Sequence, residues 1–595
     1  MPNNYPSLTI KERKSNNVVY TSMLEQGVPE WTADLISKRI DGVVDSDSIF
    51  SPSLSNIEDP SFIPNMDIAT ERIVSAIINN ERIILAVDHD LDGTASAAVL
   101  WKTFVGYFNV NPNNIEIVTS HRLNEGYGIT EQVAKRIINS GATLVISADK
   151  GSSDEPRIKK ISDAGIDVIV TDHHTVPIEG PPISAFAVVN PTIASSSYDP
   201  NVCGAAVAFL TMAKVRTELI KREVFESIPS LSSLLDYVAI ATIGDCVALR
   251  PDKSYTNRAF VKFGLSLLNK TNRPCWKVFK TNIEGPVLSE TIAFQLAPPI
   301  SSAGRLDWAE AGFRFLIADS YEQASEQWSI LQVENDQRKK IEKELRDRAF
   351  KIASKMDGAS ITLYFDDGHS GVHGITASRL VEKFGKPSGI FAPKGAGARN
   401  KETDYEVSTE LASGSFRSID GVHIRNALQF IDDKYPGLLV GFGGHSGAAG
   451  ATIAINDIDK FSVMFEEAIL AQIGNLKLAP EIFIDGVLSS KNISLETVDK
   501  LRNIEPWGKD FPYPIYKGIF TVKHLRVIGK TEEHLKLILL TEERKEIDAI
   551  WFYSIDDGKS PVKVNDSVCF IYKLSDNWFR KNRKLQLNII DMDIS

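Results

Sequence analysis

From residue 82 onward, short apolar runs alternate with helical patterns, and most of the runs end on an acid. The runs are RIILAVD (82–88), IEIVTS (115–120), TLVISAD (143–149), DVIVTD (167–172) and AFAVVN (185–190). Segments with helical spacing lie between most of them, such as TASAAVLWKTFVGYF (94–108) and ITEQVAKRIINSG (129–141). Strands of this kind separated by helices predict βαβ units and a parallel sheet. In open α/β sheets ligands bind beyond the carboxyl ends of the strands. That is where this chain puts its carboxylates.

The chain is 595 residues long, and at about 150 residues per domain it has room for roughly four domains. Residues 1–64 read as a helical and irregular extension, and 65–319 as the first α/β domain. Residues 320–356 contain no Gly or Pro and read as one long connecting helix. Glu334 before Arg338, Glu342 before Arg346 and Glu344 before Arg348 stand at the supportive i,i+4 spacing. A second, Gly-rich α/β region follows at 357–472, then a linker at 473–514. The last segment, 515–595, holds five strand-like runs, which predicts a small OB-fold-like β-barrel.

Lys plus Arg number 66 and Asp plus Glu 77, a net charge of −11. Nucleic acid could be bound only through locally basic surface. The four cysteines form no CxxC pair, so a zinc site of ordinary spacing is not expected. Their low count and wide spacing fit reduced thiols in the cytoplasm. The N-terminus lacks the apolar stretch of a signal peptide. No apolar run approaches the ~20 residues of a membrane helix, so no membrane partner is expected.

The chemistry concentrates at four places. VDHDLDG carries Asp88, Asp90 and Asp92, three carboxylates that repel one another unless a cation or solvent relieves them. It resembles half of an EF-hand loop, but position 12 would be Val99 and a strand precedes it. SADKG places Asp149 at another strand end, and TDHH places Asp172, His173 and His174 at a third. ATIGDCVAL sets Asp245 among apolar residues. Singly these read as a solvated turn, a plain turn, a structural His pair and a hydrogen-bonded Asp. Together they make an oxygen-rich, nitrogen-bearing site that suits Mn²⁺ or Mg²⁺. The carboxylates suffice for two ions about 4 Å apart, the spacing of two-metal phosphoryl chemistry.

The order DHDLDG, SADKG, TDHH, Asn190-Pro191 and IGDCVAL resembles the motif set of the DHH phosphoesterase family. The closest resemblance is to its RecJ-like single-strand exonucleases. HRLNEGYG (121–128), PPISSAGRL (298–306), HSGVHGITASRL (369–380), GSFRS (414–418) and GGHSGAAG (443–450) extend the likeness over about residues 65–595. The resemblance implies a catalytic DHH domain, a DHH-associated domain and the terminal barrel. It implies that Asp88, Asp90, Asp92, Asp149, His173 and Asp245 hold the metals, with Asp149 between them. It implies that His174, His445 and Arg305 face phosphate, and that Arg122, Ser415 and Arg417 hold a 5′-terminal phosphate.

Three departures stand out. Lys150 replaces a residue usually Asn or Cys, Ser301 a usual Asn, and His89 a usual Tyr. Lys150 is open to two readings: it lowers metal affinity, or it holds phosphate. In the tail, Lys536, Arg580, Lys581, Arg583 and Lys584 are interleaved with Trp551, Phe552, Tyr572, Trp578 and Phe579. Cations among aromatics suit single strands, although at least half of these rings are expected to pack the barrel core. The implied activity is a monomeric, metal-dependent 5′→3′ single-stranded-DNA exonuclease, with a single-strand-binding protein or a helicase as partner. The rivals are a DHH enzyme acting on short oligonucleotides or cyclic dinucleotides, and a catalytically inactive DNA-binding scaffold.

Overall fold

The computed structural model describes residues 6 and 8–593, apart from 124, 307–308, 398–406, 475, 477, 530 and 556–557. A short strand, β1 (Thr9–Glu12), opens the chain. Strands β2 (Ile83–Val87), β3 (Ile115–Val118), β4 (Leu144–Ala148), β5 (Asp167–Thr171) and β6 (Ala187–Val189) form the expected sheet. It is wholly parallel, in the order β3-β2-β4-β5-β6. Ile83, Leu85 and Val87 face one core together with Ile146 and Ala148. Ile84 and Ala86 face a second core with Val145, Val168 and Val170. Both faces are covered, which is why the strands read as continuous apolar runs rather than alternating ones. The chain leaves β2 toward β3 on one side and leaves β4 toward β5 on the other. That reversal opens a crevice at the carboxyl ends of β2 and β4.

The connecting helix is a single element, Tyr321–Ala353. Its charges do not pair along the helix as the spacing predicts. Arg338 donates to Asn335 at 2.7 Å, Arg348 pairs with Asp367 at 2.8 Å, and Arg346 turns to Asp347. Lys343 reaches Glu533 of the barrel at 2.6 Å. The helix lies between domains, so tertiary partners compete with the weak i,i+4 pairs of an isolated helix.

The second α/β domain contains β7 (Ile361–Tyr364), β8 (Ser388–Pro393), β9 (Leu411–Arg417), β10 (Leu439–Gly444) and β11 (Ala448–Ala454). Their order is β10-β11-β9-β8-β7, and only β7 and β8 run parallel. A strand in the linker, β12 (Glu481–Ile484), pairs in parallel with β1. The tail is a closed barrel of β13 (Tyr516–Ile528), β14 (His534–Leu540), β15 (Glu546–Trp551), β16 (Ser567–Phe579) and β17 (Asn582–Asp593). Its order β13-β14-β15-β17-β16, with β15 and β17 parallel, is the expected OB-type closure. Among the described residues no helix is long and apolar enough to cross a membrane.

The N-terminal extension is part of this tail in space. Val19, Met23 and Ile36 share one core with Leu501, Trp507, Phe520 and Leu537. Arg258, fully buried in the first domain, ties the two together. Its guanidinium donates to the carbonyls of Leu249, Pro506, Ile49 and Ile504 and lies over the Phe511 ring. Burial lowers its pKa to about 9. Arg258→Met should strand these carbonyls and cost about 3–5 kcal/mol, since each buried acceptor left without its donor costs roughly 1–3 kcal/mol and water can relieve some of them. Urea unfolding followed by tryptophan fluorescence would show an earlier first transition. A midpoint equal to wild type would mean that Arg258 is not the tie.

Candidate functional site

The sheet itself aligns the candidate residues. Asp88, Asp149, Asp172 and Asn190 each follow the last residue of β2, β4, β5 and β6. The N–H groups of Asp88, Asp149 and Asp172 donate to Ala148, Thr171 and Val189 at 3.3, 3.0 and 3.1 Å. One more rung of the parallel ladder therefore places the residues side by side. Asp149 has φ 60°, a left-handed conformation that Asp tolerates better than most residues. The next turn is helix Leu91–Trp101, whose N-cap Asp90 accepts from the N–H groups of Asp92 and Gly93. A Cβ on Gly93 would stand 2.4 Å from the Asp88 carbonyl oxygen, and one on Gly204 2.6 Å from the Asp149 Cβ. Both glycines let backbone close on the crevice.

The acids and histidines converge. His173 Nε2 lies 3.2 Å from Asp149 Oδ1, 3.5 Å from Asp245 Oδ2 and 3.7 Å from Asp92 Oδ2. Three overlapping sets have ligand atoms within 4.8 Å of one another: Asp88, Asp90 and Asp149; Asp92, His173 and Asp245; Asp149, His173 and His174. Asp88 Oδ1, Asp149 Oδ1 and His173 Nε2 are buried without a hydrogen bond. Buried polar atoms are rarely left so unless an ion or water completes them. The donor set, hard oxygens with one or two imidazoles, fits a pair of Mn²⁺ or Mg²⁺ ions.

Electrostatics divide the cluster. Burial, then Asp92 and Asp90, pushes Asp149 and Asp245 well above the carboxylate range. Burial, then Asp90, lifts Asp92 to about 7, against the donating N–H groups of Gly204 and Ala205 at 2.6 and 2.8 Å. Burial works to raise Asp88 as well, but His89, Lys150 and Arg122 outweigh it and hold the carboxyl at about 2. Burial and the neighbouring His174 bring His173 down to about 4. Burial opposes protonation of His174, yet Asp172, 2.8 Å from its Nδ1, raises it to about 9.

Positive groups line the other wall. Arg122 Nη1 stands 3.2 Å from His89 Nε2. Arg305 donates to the Gly371 carbonyl at 3.3 Å, and Arg417 to its neighbour Phe416 at 2.8 Å. None of the three has a carboxylate partner among the described residues. Burial and mutual repulsion lower the pKa of both Arg305 and Arg417. Ser415 lies two residues before Arg417 on β9, on the same side of the strand. His445, in the turn after β10, stacks with His174 at 6.3 Å between ring centroids. The second domain thus brings His445 to the first domain's cluster and Arg417 within electrostatic reach of Arg122 and Arg305.

Three contributors went unassigned at the level of sequence. Asp172 anchors His174 and accepts from the N–H groups of Ser152 and His173. Tyr127 places its hydroxyl 3.2 Å from the Asp149 carbonyl and from His174. Gly204 caps Asp92. Asp172 was readable as a strand-end acid before the His pair. Gly204 was not, because only the fold brings it there.

The barrel residues do not form one site. Lys536 sits on β14, whereas Trp578, Arg580 and Lys581 lie around the β16–β17 turn. Trp578 packs on Gly285 of the first domain and donates to Asp576 at 3.0 Å, so its ring is a docking contact. Trp551 and Tyr572 are core residues, and Arg583 is paired with Asp499 and Asp576. Phe579, Arg580 and Lys581 remain exposed at the turn, and Phe552 is exposed elsewhere.

Family models match along the chain: the DHH family N-terminal domain at residues 82–242, the DHHA1 domain at 357–471 and the RecJ OB domain at 484–591. The single-stranded-DNA-specific exonuclease RecJ of Salmonella typhimurium is 33% identical over 546 residues, covering 89% of this chain and 90% of that protein. Its counterpart in Escherichia coli is 32% identical over 88% of this chain and 89% of its own length. The crystal structure of Thermus thermophilus RecJ with Mn²⁺ superposes with a TM-score of 0.75 at 22% identity, covering 98% of this chain and 80% of that one. With three domain models in one order and a third of the residues shared along nearly its whole length, the chain belongs to the RecJ family of DHH phosphoesterases.

Proposed function

We propose that the chain is a single-strand-specific 5′→3′ DNA exonuclease that releases 5′-mononucleotides with two Mn²⁺ or Mg²⁺ ions. One observation carries the reading. A carboxylate cluster with buried, unsatisfied ligand atoms faces three arginines that have no carboxylate partner among the described residues. The first wall suits cations, and the second suits a polyanion that shares them. The curated relatives, named as single-stranded-DNA-specific exonucleases, support the substrate and strand selectivity.

Asp88, Asp90, Asp92, Asp149, His173 and Asp245 would hold the ions. These supply charge neutralisation and an acidified water for attack on phosphorus. Arg122, Ser415 and Arg417 grip the 5′-terminal phosphate through charge-assisted hydrogen bonds. Asp172 holds His174 protonated at Nδ1, so the imidazolium meets phosphate as a fixed donor. His445 and Arg305 approach from opposite domains and stabilise the charge that develops on the scissile phosphate and the leaving 3′-oxygen. A grip on the 5′ end one nucleotide from the metals gives both polarity and a one-residue step. The protein acts as a monomer in the cytoplasm, where its four cysteines are unpaired. It serves DNA recombination and repair, with a single-strand-binding protein or a helicase as partner.

Asp149→Asn and Asp245→Asn should each abolish cleavage of a labelled single strand, because a ligand and its charge are lost. Without metal the folded variants should melt close to wild type, since burial already pushes both carboxyls toward the neutral form that Asn mimics. Turnover by either variant in Mn²⁺ would reject the ligand assignment.

Arg417→Ala should cut kcat/KM on 5′-phosphorylated strands by roughly ten- to a hundredfold, or about 1.5–3 kcal/mol for a charged contact. Strands with a 5′-hydroxyl should be poor substrates for wild type and suffer little further from the substitution. Equal losses on both ends would make Arg417 a structural residue of β9.

The barrel core is continuous with the N-terminal helices, so deleting the barrel would unfold more than itself. Replacing Phe579, Arg580 and Lys581 by alanine tests the turn alone. Affinity for a long single strand should fall, and its salt slope should shrink by about 0.7 for each phosphate the turn no longer neutralises. An unchanged slope would remove this turn from the binding path.

A further inference from the structure

Lys150 follows Asp149 directly and is wholly buried, with an exposure of 0%. Its ammonium makes no hydrogen bond and no ion pair among the described residues. A contact with substrate phosphate is therefore closed to it. The loop leaves it no way out: Ser147 Oγ donates to the Lys150 carbonyl at 2.9 Å, and Gly151 is pressed against Ser147 and Val170.

A buried ammonium without a direct partner is expensive unless a surrounding field compensates it. The charged groups that act on Lys150 are Asp88, Asp154, Arg136 and Asp149. Two of these are already engaged. Asp154 accepts from Arg157 at 2.5 Å and from the Ile129 N–H at 2.7 Å. Arg136 is held in a fork by Glu125 at 2.6 and 2.9 Å. Beyond the share of Asp154 that Arg157 leaves, what remains for Lys150 is Asp88 and Asp149, two acids of the first of the three ligand sets.

We infer that Lys150 is a resident counter-charge of the metal cluster, a positioning residue that relieves Asp88 when no ion is bound and weakens divalent-ion binding at the Asp88–Asp149 side. This rests on the metal reading proposed above. The ammonium is fixed in a poorly screened interior, where it repels a divalent ion held by the same acids. It cannot be displaced into solvent as that ion arrives.

The test is calorimetric titration of the metal-stripped full-length protein with MnCl₂, comparing wild type, Lys150→Met and Lys150→Gln. Both substitutions remove the charge, and methionine keeps much of the apolar stem. At least one Mn²⁺ should bind about tenfold or more tightly in the variants, as expected for losing a unit charge near a divalent ion at an effective dielectric of ~20. The metal-free variants should melt earlier than wild type, and saturating Mn²⁺ should raise their midpoint by more than it raises that of wild type. Unchanged Mn²⁺ affinity in a folded variant would overturn the counter-charge role while leaving the metal site standing. Absence of Mn²⁺ binding to wild type as well would overturn the metal reading and this inference with it. If neither variant folds, Asp154→Asn takes their place. With Asp154 no longer offsetting Lys150, Mn²⁺ should bind more weakly, and unchanged affinity would again overturn the inference.

Discussion

Repulsion among carboxylates is the constraint around which this molecule is built. Asp88, Asp90, Asp92, Asp149, Asp172 and Asp245 meet at one edge of a sheet, four of them buried and Asp90 and Asp245 half-buried. Six acids in a poorly solvated crevice would protonate or push apart if left alone. The fold answers with backbone. Asp92 is held by two N–H groups at the start of helix Gly204–Lys221, Asp90 caps helix Leu91–Trp101, and Asp172 collects N–H donors from its own turn and from Ser152. Asp149 and Asp245 receive less, and these are the two pushed furthest from the ordinary carboxylate range. At Asp149 the unmet demand coincides with an orphaned ligand atom.

The same constraint explains why a second domain is needed. A wall of acids repels a nucleic-acid backbone, and cations at a few of its edges do not offset that. Arg122 and Arg305 come from the first domain, and Arg417 and His445 from the second, so the proposed anion pocket requires the two domains to be docked. Arg305 records the docking directly, because its donor reaches the Gly371 carbonyl at the start of helix Ser370–Phe384. The long helix sets the spacing, and two of its cations, Lys343 and Arg348, pair with acids outside the helix.

This division shows why some of the site was legible in the sequence and some was not. Acids at strand ends were legible because a parallel sheet buried on both faces forces continuous apolar runs, and whatever follows them must lie in the crevice. The barrel was legible for a similar reason, since strand periodicity survives closure. The carry-over from the family motifs pointed to Arg122 and His445, which the fold sets beside His89 and His174, and no periodicity could have done that. What failed were inferences that treated a segment in isolation. The i,i+4 pairs of the long helix lost to tertiary partners, and Trp578, read as a stacking platform, packs on Gly285. Asp172 and Gly204 act through backbone geometry that sequence spacing does not encode.

The N-terminal extension and the barrel complete the frame, and their role is mechanical. Arg258 gathers carbonyls from the extension, the first domain and the linker, and Arg39 pairs with Asp485 at 2.7 Å with both side chains almost wholly buried. A buried pair of this kind adds little net stability but strongly penalises any arrangement that breaks it. The barrel is therefore not a tethered module that samples space around the catalytic domains. Its exposed β16–β17 turn is held at one place, with Lys581 against Glu284 and Trp578 against Gly285. The turn and the crevice therefore keep a fixed relation to one another. Widening that frame would expose Arg258 and strand the carbonyls that it now satisfies.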